Sequence, residues 1–396
     1  MTVHTPTEPR PQAPRRFALW NLGFRPFYLF AGIFAALSVP LWAARFAGWL
    51  GEWVYFSESV RHAHEMIFGY AFAVVTGFLF TAVRNWTGRP TPSGPLLAAI
   101  AGLWLAARVL AFTPWTLLAA AADVAFALAA ALGIGVPLLA SGNRRNYFFI
   151  GVLLALGAAN LAFYLAEAGL LEVAAGDGVQ IALDLVLFVM AVMGGRVIPA
   201  FTANAIPGSK PTRHALLERI APGSILLLIA ADLLPVPGSI VAILAALAAL
   251  AHAARLALWQ PWLTLRHPIL WILHASYGWI VVHLALRALA PLDAFPGSLA
   301  THALAVGAIG GLTLGMMTRT ALGHTGRPLR TGPAETASYT LVQLAAISRV
   351  FLPLAVPAWY LPAVTASAVL WFAAFAVFSA AYWPILTRAR ADGAPG

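Results

Sequence analysis

The sequence predicts an all-α, polytopic membrane protein, and three observations carry the prediction. Of 396 residues, 61% are hydrophobic and only 10% are charged, against about 25% charged in an average soluble domain. The apolar residues come in long blocks rather than in alternating runs. Many of these blocks reach the roughly 20 residues that a helix needs to cross a hydrocarbon core of about 30 Å.

Taken in order, the blocks mark twelve spans, near residues 25–44, 64–83, 95–112, 114–140, 147–169, 178–200, 214–234, 238–259, 268–290, 299–320, 338–356 and 361–386. The polar, proline-rich opening, "MTVHTPTEPRPQAPRR", reads as part of a disordered basic tail over 1–20. It shows no short apolar region before a small-residue cleavage site, so the first helix is expected to direct insertion. Residues 21–387 read as one membrane helix bundle, with a short cytoplasmic tail at 388–396. Connections are short and punctuated by glycine and proline, as in "NWTGRPTPSGP" (85–95), "AFTANAIPGSKPT" (200–212) and "GHTGRPLRTGP" (323–333). The first and last of these share a TGRP core, which suggests similar turns.

The formal net charge of +10 is a topology signal. With the N-terminus in the cytoplasm, most arginines and lysines fall on that side, among them Arg84, Arg144, Arg145, Lys210, Arg213, Arg327 and Arg388, as the positive-inside rule requires. Glu52, Glu58, Glu167, Glu172, Asp177 and Asp293 collect on the other face. An even number of spans then puts both termini in the cytoplasm. Charge laid out this way gives no footprint for a nucleic acid.

The chain has no cysteine and ten histidines. Absence of cysteine excludes disulfides, iron–sulfur clusters, thiolate metal sites and covalent c-type haem. A metal would have to rest on histidine, methionine, carboxylate or backbone oxygen. Placed by depth, the histidines form two layers. His62, His64 and Glu65 open the second span on the non-cytoplasmic side, His302 opens the tenth, and His283 lies toward that side of the ninth. His252 and His274 lie toward the cytoplasmic half, and His324 sits past the cytoplasmic end of the tenth.

Helical geometry restricts the pairings. His274 and His283 face opposite ways and differ by roughly 13 Å in height, so they cannot share a metal. His62 and His64, two residues apart, diverge on a regular helix and converge only if the helix start is irregular. "HEMIF" is not the metalloprotease HExxH, because Phe68 stands where the second histidine belongs. Asp123, Asp184 and Arg196, inside or at the end of spans, would form a proton route, an ion pair or a structural hydrogen bond to a residue such as Asn160. Met190, Met193, Met316 and Met317 read mainly as packing. Buried ionisable groups in a membrane are expensive and mark functional sites. A histidine set without thiolate fits haem and copper ligation, and it equally fits a proton-coupled transporter.

Four blocks in the same order bear a further resemblance: "GFRPFYLFAGIFAALSVPLW" (23–42), "RHAHEMIFGYAFAVVTGFLFTAVRNWTGRP" (61–90), "GGRVIPAFTANA" (194–205) and "HALAVGAIGGLTLGMMTRTALGHTGRP" (302–328). They closely resemble the NnrS family, over most of the chain. The resemblance implies a twelve-helix bacterial inner-membrane protein that carries haem and copper and protects against nitrosative stress. The matching motif residues are His62, His64, Glu65, Arg196, His302, Arg319 and His324.

The expectation is therefore a haem b and copper protein that reduces nitric oxide to nitrous oxide, with His62, His64, His302, His283 and His324 as metal ligands. Glu65 would relay protons or orient a histidine, and His252 and His274 would hold a second centre. Arg84, Arg196 and Arg319 would pair with haem propionates, against their simpler reading as positive-inside charges. Electrons would come from membrane quinol or a redox protein, since no nucleotide or flavin fingerprint is present. Rival readings are a haem or nitric oxide sensor or buffer without turnover, a proton-coupled transporter, and an assembly role.

Overall fold

A backbone in lipid has no water to bond, so each crossing segment must satisfy its own amides, and the long apolar blocks become helices. The computed structural model describes residues 17–51, 59–293 and 295–394. The tail through residue 16, His4 within it, and Glu52 and Glu58 lie outside the described residues.

A helix stands at each expected position. These are α1 (Phe24–Phe46), α2 (Ser59–Thr87), α3 (Gly94–Leu110), α4 (Thr116–Ser141), α5 (Phe148–Glu167) and α6 (Ala175–Ala205). They continue as α7 (Leu217–Leu233), α8 (Gly238–Leu258), α9 (Pro268–Leu289), α10 (Ser298–His324), α11 (Pro333–Ala355) and α12 (Tyr360–Thr387). Among the described residues, ten helices are long and apolar enough to cross a membrane. The other two, α3 and α7, have 17 residues each, a little short of a full crossing. The protein is an all-α, multi-pass membrane protein.

The bundle is built for lipid as solvent. Leu105, Leu132, Leu247 and Val369 point outward, while Arg25, Glu65, Arg108, Asp123, Asp184 and Arg255 are buried inside. Among the described residues, buried ion-pair clusters tie neighbouring helices together, two of them among α6–α9. Arg287 on α9 donates to Asp184 on α6 at 3.1 Å and to Asp232 on α7 at 2.6 Å. Arg255 on α8 donates to Glu218 on α7 at 2.7 and 3.0 Å and to the Ala191 carbonyl on α6 at 2.6 Å. Gly195 makes the second cluster possible, because a Cβ there would lie 1.7 Å from Arg255 Nη2.

The start of α1 and the end of α12 meet. Ala18 N–H donates to the Thr387 carbonyl, and Arg25 reaches the carbonyls of Leu386 and Arg388. An even number of helices between them accounts for this. The two TGRP turns are alike, with Gly88 at φ 65° and Gly326 at φ 71°, the left-handed region that glycine enters freely.

Two helices depart from regular winding. Within α2, Glu65–Ala71 is a π-helix, and within α10, Ala303–Gly310 is another. Each begins at or within one residue of a histidine expected to bind metal, His64 in one and His302 in the other. π-segments loosen the hydrogen-bond ladder and occur often at functional sites. The Gly69 carbonyl, inside the first, accepts from Trp104 Nε1 at 2.8 Å. Tyr70 Oη, also in the first, lies 2.5 Å from Thr313 Oγ1 just beyond the second, so the two irregular segments are tied to each other.

Candidate functional site

Six helices converge on one cavity of about 360 Å³ at the end of the bundle where α2 and α10 begin. Its walls include Trp42 from α1, His62 from α2, Gln180 from α6, His302 from α10, Arg349 from α11 and Tyr360 from α12. The volume falls in the range of small-molecule sites.

The polar groups are set out around the two imidazoles. His302 Nδ1 is 2.6 Å from the Ser298 carbonyl. A carbonyl only accepts, so Nδ1 carries the proton and Nε2 keeps its lone pair. The His62 ring stacks on Trp42 with centroids 4.1 Å apart, and its Nδ1 is buried without a hydrogen-bond partner among the described residues. Arg349 lies within electrostatic reach of both rings. It donates from Nη2 to Tyr360 Oη at 3.0 Å, and Tyr360 Oη is 3.2 Å from Ser298 Oγ.

His64 goes elsewhere. The residues from Ser59 to His64 are regular α-helix, so it turns away from His62, and both of its ring nitrogens are engaged. Nδ1 lies 3.1 Å from Glu65 Oε1 and Nε2 lies 2.8 Å from Asn160 Oδ1. Glu65 Oε2 accepts from Arg108 Nη1 at 2.6 Å, Arg108 also pairs with Asp123, and Tyr164 donates to Asp123 at 2.9 Å. Of the options open for Asp123 and Asp184, the structure gives ion pairs, to Arg108 and to Arg287. Gly69 lets Arg108 pass, since a Cβ there would sit 3.0 Å from Nη1.

The remaining candidates are dispersed. His283 Nδ1 is 2.8 Å from the Ala300 carbonyl, and its buried Nε2 has no partner among the described residues, but the ring does not line the cavity. His252 has both nitrogens engaged, Nδ1 with Tyr277 Oη at 2.7 Å and Nε2 with the Ala221 carbonyl at 3.0 Å. His274 lies 3.1 Å from the Leu270 carbonyl and 3.3 Å from Thr202 Oγ1. His324 packs on Phe24 at the far end of α10, roughly 33 Å along the helix from His302. Arg84 is exposed, Arg196 donates to Asn146 at 2.7 Å, and Arg319 lies 3.7 Å over the Phe201 ring.

Among the described residues, no three histidines or carboxylates stand close enough to hold a metal ion. What the cavity offers is two imidazoles from separate helices, one with an orphaned buried nitrogen, beside space for further ligands. That donor set fits a haem or a metal ion with open positions, not a closed structural site. Arg349 and Tyr360 escaped the sequence reading. A lone arginine in the apolar run "AAISRVFLPL" was the available signal, since an intramembrane charge points to function. Tyr360 gave none.

The family model for NnrS protein matches residues 18–390 of the chain. No curated protein matches it.

Proposed function

The chain belongs to the NnrS family, which makes it a membrane protein of the nitric oxide response, and from that premise we propose that it consumes nitric oxide in the cavity between His62 and His302. The family is associated with haem and copper. The observation that carries the reading is the cavity itself, where two imidazoles on separate helices face one space and one of them has an orphaned buried nitrogen. In this reading the membrane is the bacterial inner membrane, and the cavity opens toward the periplasmic face.

Nitric oxide is small and neutral and partitions into lipid, so a site among helices suits it. Two molecules of nitric oxide, two electrons and two protons give one nitrous oxide and one water. His62 and His302 would hold a haem b or copper, which supplies a redox-active centre able to bind the gas. Membrane quinol or a redox protein would supply the electrons. Ser298 fixes the tautomer of His302, and Trp42 fixes the plane of His62, so both rings are set before anything binds. His64 and Glu65 follow His62 on the same helix and line a second, smaller cavity with Arg61 and Tyr164. There Glu65 is paired to Arg108 and orients His64, outside the cavity where the gas reacts.

An optical spectrum of the purified protein tests the reading, taken oxidised and reduced, with and without nitric oxide. The expected result is a haem spectrum that shifts with the gas and returns as the gas is consumed under reductant. A shift without consumption favours a sensor or buffer. A protein that takes up neither haem nor copper overturns the reading.

A further inference from the structure

Among the described residues, four arginines are deeply buried: Arg25, Arg108, Arg255 and Arg349. Arg25 donates to backbone carbonyls, Arg108 to Glu65 and Asp123, and Arg255 to Glu218. Arg349 is 3% exposed, yet among the described residues it meets no carboxylate. Its Nη2 donates to Tyr360 Oη and its Nη1 has no hydrogen-bond partner there. A guanidinium never loses its proton in a protein, and an unpaired charge inside a membrane protein is costly. An anion would satisfy such a charge, and Arg349 lines one cavity together with His62 and His302.

We infer that Arg349, with Tyr360 and Ser298, binds the carboxylate of the ligand held between His62 and His302, or a small free oxyanion in the same position. Tyr360 also lies under the guanidinium, 4.9 Å from ring centroid to Cζ, and its hydroxyl reaches Ser298. The fork is thus held at Nη2, while Nη1 is buried without a partner among the described residues at the cavity wall; two N–H groups of a guanidinium match the two oxygens of a carboxylate. The inference rests on reading this cavity as a ligand site. It also moves the propionate partner from Arg84, Arg196 and Arg319 to an arginine at the histidines.

The test uses full-length protein, purified in detergent without haem or metal, and three probes: protohaem IX, its dimethyl ester, and sodium formate. Haem binding is read by quenching of tryptophan fluorescence, formate binding by the thermal midpoint. Wild type is expected to bind protohaem roughly 10- to 100-fold more tightly than the ester, the size of one charged hydrogen-bonded pair. R349Q is expected to bind both at the ester's affinity, with R349K between. That result supports the inference with a haem carboxylate as the anion. Equal haem affinities, with a formate-induced rise in midpoint that R349Q loses, support it with a free oxyanion. In the unliganded protein R349M should lower the midpoint less than R108M, whose guanidinium is paired to Glu65 and Asp123; an equal or larger fall overturns the inference. So does an R349Q protein unchanged toward all three probes, or loss of the same preference in E52Q or E58Q, which would make the counter-ion internal. If wild type binds neither haem, the cofactor reading fails while the formate arm still decides the anion site.

Discussion

The two ends of the bundle use the same residue types to opposite effect. Around His252, every ring nitrogen has a protein partner, Tyr277 bridges His252 and Arg255, and Glu218 closes the charge. Around His62 and His302 groups are left unpaired: His62 Nδ1 and Arg349 Nη1 lack partners among the described residues, and both residues line a cavity. The backbone differs too, since α8 and α9 are regular at His252 and Tyr277 whereas α2 and α10 carry π-segments beside their histidines. Histidine inside a membrane is thus not by itself a ligand. What separates a strut from a site is whether its hydrogen bonds are already spent on the protein.

Removing Glu218 gives the largest effect expected from this contrast. Glu218→Ala strands the buried guanidinium of Arg255, which costs about 3–5 kcal/mol. It should appear as a large drop in the thermal midpoint and in yield of folded protein. Next come His62→Ala and His302→Ala. Each should abolish cofactor uptake and nitric oxide consumption while costing about 1–2 kcal/mol, less than Glu218→Ala, since each loses one ring contact or hydrogen bond and strands no charge. A variant at either position that keeps full cofactor content would erase the distinction between the two ends.

The sequence made the helices legible because length and hydropathy alone decide them in lipid. It also made His62 and His302 legible, as histidines opening two spans on one side. The parting of His62 from His64 followed from helical geometry, given a regular start. The π-segments did not show, because a single extra residue in a turn leaves no mark on an apolar run such as "ALAVGAIG". Arg349 was hidden for another reason. A buried arginine with a carboxylate and one without read identically in sequence, and only the fold shows that Arg108 and Arg255 have their partners.

The contrast is sharpened further at His252. His252→Phe keeps the ring volume but removes its two hydrogen bonds and leaves the Ala221 carbonyl and Tyr277 short of a partner. The expected cost is about 1–3 kcal/mol, with cofactor content intact. A second centre at His252 and His274 would instead lose part of its chromophore, with the absorbance falling in proportion.

The smallest effect belongs to His324, and it tests the rule where the family motif and the geometry disagree most. His324 belongs to the motif block "GHTGRP", yet it sits roughly 33 Å along α10 from His302, with its ring against Phe24 and its carbonyl accepting from Arg390 at 3.0 Å. Removing the ring leaves the backbone bond in place, so His324→Ala should cost about 1 kcal/mol or less. It should leave the haem and copper content of the His62 cavity unchanged. Metal analysis and the reduced optical spectrum of this variant read that directly. Loss of a metal equivalent would mean that the end of α10 away from the cavity carries a centre of its own, built on His324 and not on the open pair.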